Sequence, residues 1–133
     1  MVPSTDSLKF LRSVFIAVAA PEFACSPIMY KQMLRFAVLP SPLWNHCTAV
    51  SFVIRGLFGG DYVAGRVKDE PHFWNRLPDG TEIDMTSCQY GGDGFNPLRK
   101  GRKVSLKQDA IEPLHVIAFG LKVKDEISRR GIL

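Results

Sequence analysis

The chain has 133 residues, of which 46% are hydrophobic and 23% charged, and its formal net charge at pH 7 is +4. This length and usage are those of one globular domain that buries its own core, so they argue against a disordered protein and against a disulfide-stapled miniprotein. No stretch approaches the roughly 18 apolar residues that a membrane span needs. We therefore predict a single domain over residues 1–133 with no membrane partner.

Two helices are predicted before the first proline-rich stretch. Apolar residues recur at spacings of three and four over residues 7–20, which indicates a helix with one buried face that Pro21 ends. Residues 8–20 also faintly resemble a signal peptide, but basic residues interrupt the apolar positions, and an amphipathic helix explains the pattern as well. Pro27 is placed to open a second, short helix that runs to about residue 36.

A third helix has the clearest pattern in the chain. Apolar residues come in adjacent pairs every four positions, which marks a wide buried stripe. The pairs are Ala49/Val50, Val53/Ile54 and Leu57/Phe58. Asn45 or His46 stands where a helix cap belongs, and Gly59-Gly60 ends the helix. This places Cys47 in the first turn.

Three strands are predicted to follow the third helix, over residues 61–67, 71–77 and 81–86. The last two form a hairpin, because Pro78-Asp79-Gly80 is strong turn chemistry. A final helix is predicted over residues 109–130, although the apolar stretch 116–123 also suits a strand. The fold class is therefore α+β: a Cys-bearing helix packed on a small antiparallel sheet, with helices at both ends.

Cys47, His72 and Asp84 are the candidate catalytic residues. A thiol is a good nucleophile only as thiolate, and the first turn of a helix stabilises that anion and an oxyanion formed on an attacked carbonyl. His72 supplies a base and Asp84 its orienting partner. A three- or five-residue hairpin connection places Arg76 opposite Glu82, with His72 and Asp84 as diagonal neighbours on one face. A two-residue connection would place them on opposite faces.

Three segments of the chain resemble the YunG-type domain of bacterial and phage proteins. The segments are Asn45-His-Cys-Thr-Ala-Val50, Phe58-Gly-Gly60, and the stretch from His72 to Thr86. That family shows a Gly-Gln-Cys turn into an apolar helix, a Gly-Gly step, and a His-x-Trp-Asn-x-Leu…Gly…Asp-x-Thr hairpin. The order of helix and strands also resembles transglutaminase-like and papain-like folds, which place Cys, His and Asp in that order. The resemblance implies such a fold, with residues 44–90 as the core that carries the site.

The resemblance also implies further residues around the thiol. His46 and Asn45 stand where the family pattern has Gln and Gly, so His46 is a candidate to replace an oxyanion donor. Gln89 is placed to be the family's nearby Gln. Trp74 and Asn75 are candidate pocket residues, and Glu82 is an alternative carboxylate partner for His72.

The cysteines indicate the cellular compartment and suggest a zinc site as an alternative to a catalytic thiol. Cys25, Cys47 and Cys88 form an odd set without CxxC spacing, which predicts three reduced thiols in a cytoplasmic protein. A zinc site would use Cys47, His72, Cys88 and either His46 or His115. Their spacing matches no paired-ligand motif, so we expect neither metal nor cofactor.

The favoured function is thiol chemistry on an acyl group: amide hydrolysis, deamidation or acyl transfer. Its substrate would be a protein, a peptide or a small amide. The alternative is a non-catalytic binding or modulator protein that keeps the fold. Nucleic acid is not an expected partner, because the basic residues of the stretch 99–107 have no aromatic residues interleaved with them, as a single-strand binding surface would.

Overall fold

The computed structural model of the protein describes residues 3–24, 26–36, 43, 46–67, 70–86, 95–97, 102–103 and 114–131. Helices flank a small antiparallel sheet, which confirms the α+β prediction at that level. The elements in chain order are α1 (Thr5–Val18), a 3-10 turn (Pro21–Phe23), α2 (Pro27–Arg35), α3 (Cys47–Phe58), β1 (Asp61–Val67), β2 (Glu70–Arg76), β3 (Glu82–Ile83), β4 (Arg102–Lys103) and α4 (Leu114–Arg129).

The first and last helices begin and end for identifiable reasons. α1 starts two residues earlier than predicted, because the Ser4 hydroxyl accepts a hydrogen bond from the Ser7 amide at 3.1 Å and caps the helix. In α4, Val116, Phe119 and Val123 are buried at helical spacing. The alternative of a strand over residues 116–123 is therefore wrong. Residues 109–113, at the predicted start of that helix, lie outside the described residues.

α3 begins at Cys47 and ends at Phe58, with Gly59 as its C-cap, as predicted. Two of its three apolar pairs, Ala49/Val50 and Val53/Ile54, are buried, whereas in the third Leu57 is 51% exposed and Phe58 is half-buried. The backbone of Gly59 leaves the helix with φ of +76°. Gly60 follows with φ of +88°, and a Cβ atom there would overlap the carbonyl oxygen of Arg76. Only glycine therefore lets the end of α3 lie this close to the end of β2.

Among the described residues, the sheet has the strand order β3-β2-β1-β4, and every neighbouring pair is antiparallel. Five residues, 77–81, connect β2 to β3, and they place Arg76 opposite Glu82. This confirms the register that the candidate site requires. β3 is shorter than the predicted 81–86, since its pairing with β2 ends at Ile83, and the outward-facing Asp84 amide donates to the Phe95 carbonyl at 2.7 Å.

α3 packs on one face of the sheet. The guanidinium of Arg55 in α3 lies 5.2 Å from the ring centre of Tyr62 in β1. The side-chain amide of Asn75 in β2 donates to the backbone carbonyl of Ser51 in α3 at 3.0 Å. Because side chains alternate along a strand, His72 and Trp74 project from the opposite face. That face is also buried.

The apolar core lies among the helices. Phe119 of α4 is fully buried, 5.9 Å from the ring of Phe15 in α1 and 5.4 Å from that of Phe23 in the 3-10 turn. α4 also contacts α3, so the helix that carries Cys47 is held between the sheet and α4. In the part of the chain that the structure describes, no helix combines the length and apolar character needed to cross a membrane.

Candidate functional site

His72 and Asp84 form a direct, buried pair. The imidazole Nε2 lies 2.6 Å from Asp84 Oδ2, and the two side chains are 1% and 2% exposed. The contact follows from the hairpin register, in which Trp74 would pair with Asp84 and His72 is its diagonal neighbour. A charge-assisted hydrogen bond at this distance in a dry environment is strong and fixes the orientation of the ring.

The carboxylate of Asp84 has a partner for each oxygen. Oδ2 contacts His72, while Oδ1 accepts from the Thr86 amide at 3.0 Å and from the Thr86 hydroxyl at 3.1 Å. A buried carboxylate needs such partners, because an unsatisfied buried charge is costly. Sequence reasoning gave Thr86 no role. The Asp-x-Thr spacing is the signal for it, since the amide and hydroxyl two residues on reach back to an Asp side chain.

Trp74 packs against His72. Its ring centre lies 5.4 Å from that of His72, and its Nε1–H donates to Glu82 Oε1 at 2.7 Å. The other oxygen of Glu82 accepts from Arg76 at 3.2 Å. Glu82 thus holds the indole in place, and the carboxylate that contacts His72 is Asp84 rather than the alternative Glu82.

Cys47 is the first residue of α3 and is 8% exposed. It is the one cysteine among the described residues, and it forms no disulfide there. Its position gives the sulfur the positive end of the helix dipole and the amide groups of the first turn. Cys25 and Cys88 lie outside the described residues, so their redox state stays a prediction.

His46 lies in the core between helices. Its side chain is fully buried, with Nε2 at 3.1 Å from the Ala20 carbonyl oxygen and 3.3 Å from the Ala20 amide nitrogen. Its ring packs against Tyr30 at 5.2 Å and Phe119 at 5.9 Å, and burial raises the pKa of the Tyr30 hydroxyl. His46 occupies the cap position of α3, but its side chain makes no capping hydrogen bond.

The remaining candidates are Asn75, which makes a structural contact, and two residues that the structure does not describe. Asn75 is 2% exposed and links β2 to α3 through Ser51, four residues after Cys47. Asn45 and Gln89 lie outside the described residues, as do most of the basic residues in the stretch 99–107. In the described part of the chain, no three His, Cys, Asp or Glu side chains cluster as metal ligands would. Cys88, one of the candidate zinc ligands, is not described.

The pair and the thiol have the chemistry of a base and a nucleophile. With Nε2 hydrogen-bonded to Asp84, Nδ1 is the ring nitrogen that would exchange a proton with a thiol. A carboxylate that holds the imidazole in one orientation and stabilises the imidazolium is the usual third member of such a set.

Comparison with known proteins gives one match. A family model described as YunG protein matches residues 38–113, more than half of the chain and including Cys47, His72 and Asp84. No curated protein matches the chain, and no solved structure matches it.

Proposed function

The chain belongs to the YunG family, and from its buried His72–Asp84 pair and the position of Cys47 at the start of α3 we propose that it carries out thiol-dependent acyl chemistry at Cys47. The reaction class is amide hydrolysis, deamidation or acyl transfer on a protein, a peptide or a small amide. The observation that carries the proposal is the 2.6 Å contact between His72 and Asp84, because a buried imidazole oriented by a carboxylate is suited to proton transfer.

In the proposed reaction, Cys47 Sγ gives its proton to His72 Nδ1 and attacks the carbonyl carbon of the amide. Amide groups at the start of α3 stabilise the resulting oxyanion. The carbon–nitrogen bond then breaks, the imidazolium protonates the departing amine, and a thioester remains on the sulfur. Water or a second amine attacks the thioester, its proton passes to His72, and the thiol is restored. Asp84 keeps the ring oriented throughout.

The proposed reaction requires the thiol at the start of α3 to lie next to the His72 imidazole. His72 projects from the face of β2 opposite to the one on which α3 packs. The thiol must therefore meet the imidazole at the edge of β2. Two features support a contact there. β3 pairs with only Asn75 and Arg76, so it does not cover the edge of β2 at His72. Asn75 also holds β2 against α3 within a turn of Cys47.

The test is native-state alkylation of Cys47 by iodoacetamide at pH 7, followed by site-resolved mass spectrometry. We expect His72→Ala to slow alkylation by about tenfold or more, because the thiolate loses its imidazolium partner. Asp84→Asn should slow it less, because it changes only the orientation and charge behind the ring. His115→Ala is the matched control, since this half-buried histidine lies on α4, and it should leave the rate unchanged.

A non-catalytic binding protein is the second candidate, and the burial of the three residues favours it. Cys47, His72 and Asp84 are 8%, 1% and 2% exposed, so a substrate has little access to them without a local opening. On this alternative, Cys47 resists alkylation in the folded protein, and His72→Ala lowers stability without changing the rate. Equal and slow rates for the wild type and His72→Ala would contradict the enzymatic proposal.

A further inference from the structure

The backbone of Asp84 is held by a residue far from the hairpin in sequence. Its amide points away from β2 in this register and donates to the Phe95 carbonyl at 2.7 Å. The hairpin register places the Asp84 carboxylate on the same face as His72, and the bond to Phe95 holds the backbone that carries this carboxylate. Phe95 therefore helps to hold the carboxylate in place, together with the hairpin register and Thr86.

Phe95 is in turn held from α1. The guanidinium carbon of Arg12 lies 4.1 Å from the centre of the Phe95 ring, close enough for a strong cation–π contact. The Nε atom of Arg12 is inaccessible to solvent, so the cation lies at least partly out of water, where such contacts gain strength. Arg12 lies half-buried at the edge of the face of α1 that packs into the core, next to Leu8 and Leu11, so its backbone is firmly placed.

We propose that Arg12 is a positioning residue for the His72–Asp84 pair and acts on it through Phe95. The connection runs from α1 through the Phe95 ring and carbonyl to the Asp84 amide, and then from the Asp84 carboxylate to His72 Nε2. A hydrogen bond of 2.6 Å depends steeply on the placement of both partners, so loosening Phe95 lengthens the contact. The effect of Arg12 on Cys47 rests on the proposed function, whereas its effect on His72 does not.

Two measurements on the full chain test this inference. The first is the proton on His72 Nε2, observed by NMR with ¹⁵N-labelled histidine and assigned by its loss in His72→Ala. A short buried hydrogen bond shifts this proton downfield and slows its exchange with water. Arg12→Ala should move the signal upfield and speed the exchange, and Arg12→Lys should restore most of both, because it keeps the cation.

The second measurement is the rate of Cys47 alkylation. We expect Arg12→Ala to reduce it by roughly threefold to tenfold, the rate change that corresponds to weakening one hydrogen bond. Arg130→Ala is the matched control. This arginine also joins α1 to the C-terminal end, with its guanidinium 5.7 Å from the Phe10 ring and hydrogen-bonded to Ser13, but it has no link to Phe95 among the described contacts. It should lower stability and leave both readouts unchanged.

The outcomes separate the two proposals. If Arg12→Ala moves the His72 signal while His72→Ala leaves the alkylation rate unchanged, the positioning role stands and the enzymatic proposal fails. If Arg12→Ala leaves the signal of the folded protein unchanged, or changes it no more than Arg130→Ala does, the positioning role is refuted. A Phe95→Leu variant, which keeps the backbone carbonyl but removes the ring, should reproduce the effect of Arg12→Ala.

Discussion

Replacing Gly60 with alanine tests how α3 is held against the sheet. Gly60 has φ of +88°, and an added Cβ would overlap the Arg76 carbonyl oxygen and lie 3.1 Å from Leu77 Cα. Both obstacles are backbone atoms, which cannot move aside as a flexible side chain can. The substitution therefore forces the end of α3 away from the end of β2.

Two other glycines separate the backbone strain from the steric overlap in the expected loss of stability. Gly80 has φ of +91° with nothing within 4 Å of an added Cβ, so Gly80→Ala carries the conformational strain alone, about 1–2 kcal/mol. Gly56 lies within α3 with open space around it, so Gly56→Ala should stabilise by about 0.5–1 kcal/mol. Gly60→Ala adds the steric overlap to the strain, which gives a loss of about 3 kcal/mol or more.

Urea unfolding of the three variants against the wild type measures these differences. We expect the free energy of unfolding to fall in the order Gly56→Ala, wild type, Gly80→Ala, Gly60→Ala, and the melting temperature of Gly60→Ala to drop by roughly 10 °C or more. A Gly60→Ala protein as stable as Gly80→Ala would refute the reasoning, because the overlap with Arg76 would then cost nothing.

Two further predictions concern hydrogen-bonded carboxylates. Thr86→Val keeps the shape of the side chain but removes one donor to the buried Asp84 carboxylate, so it should lower the free energy of unfolding by about 1.5–3 kcal/mol, with Thr86→Ser, which keeps the hydroxyl, closer to the wild type. Glu126 has a pKa of about 2, lowered from 4.5 first by its hydrogen bonds to Arg129 and Arg130. Its folded-state pKa is below the unfolded value, so its contribution is present above about pH 4.5 and is lost as the pH falls towards 2. Urea unfolding of Glu126→Gln across this range should show a shallower loss than the wild type, and parallel curves would contradict the assignment.

The elements near the site were predictable because their signals are local. The paired apolar residues of α3 and the Gly59-Gly60 step specify a helix that begins near Cys47 and ends at Phe58. The hairpin needed one further choice, the length of the connection after Arg76, which the turn residues left open. The five-residue connection, with the Thr81 amide and hydroxyl bonded to the Asp79 carboxylate, selects the register that joins His72 to Asp84.

The contacts that hold the site in place were not predictable in the same way. The Phe95 carbonyl accepts from the Asp84 amide just after β3, and the Arg12 guanidinium packs on the Phe95 ring. Neither contact has a periodic or short-range signature, since each joins residues more than ten positions apart. His46 shows the same limit: its place before a helix predicted a cap, whereas its ring is held in the core by Ala20, by Tyr30 of α2 and by Phe119 of α4.

The contact between His46 and Ala20 spans 26 positions in sequence. It ties the residue immediately before Cys47 to the connection between α1 and the 3-10 turn, so the stretch 44–90 contains the three candidate residues but not the residue that anchors the start of α3. A contact of this sequence separation forms only once the chain has closed the intervening loop, which costs chain entropy. We therefore expect the geometry around Cys47 to mature only when α1, α2 and α4 have docked. An excised fragment of residues 44–90 would carry Cys47, His72 and Asp84 but would lack the contacts that position Cys47.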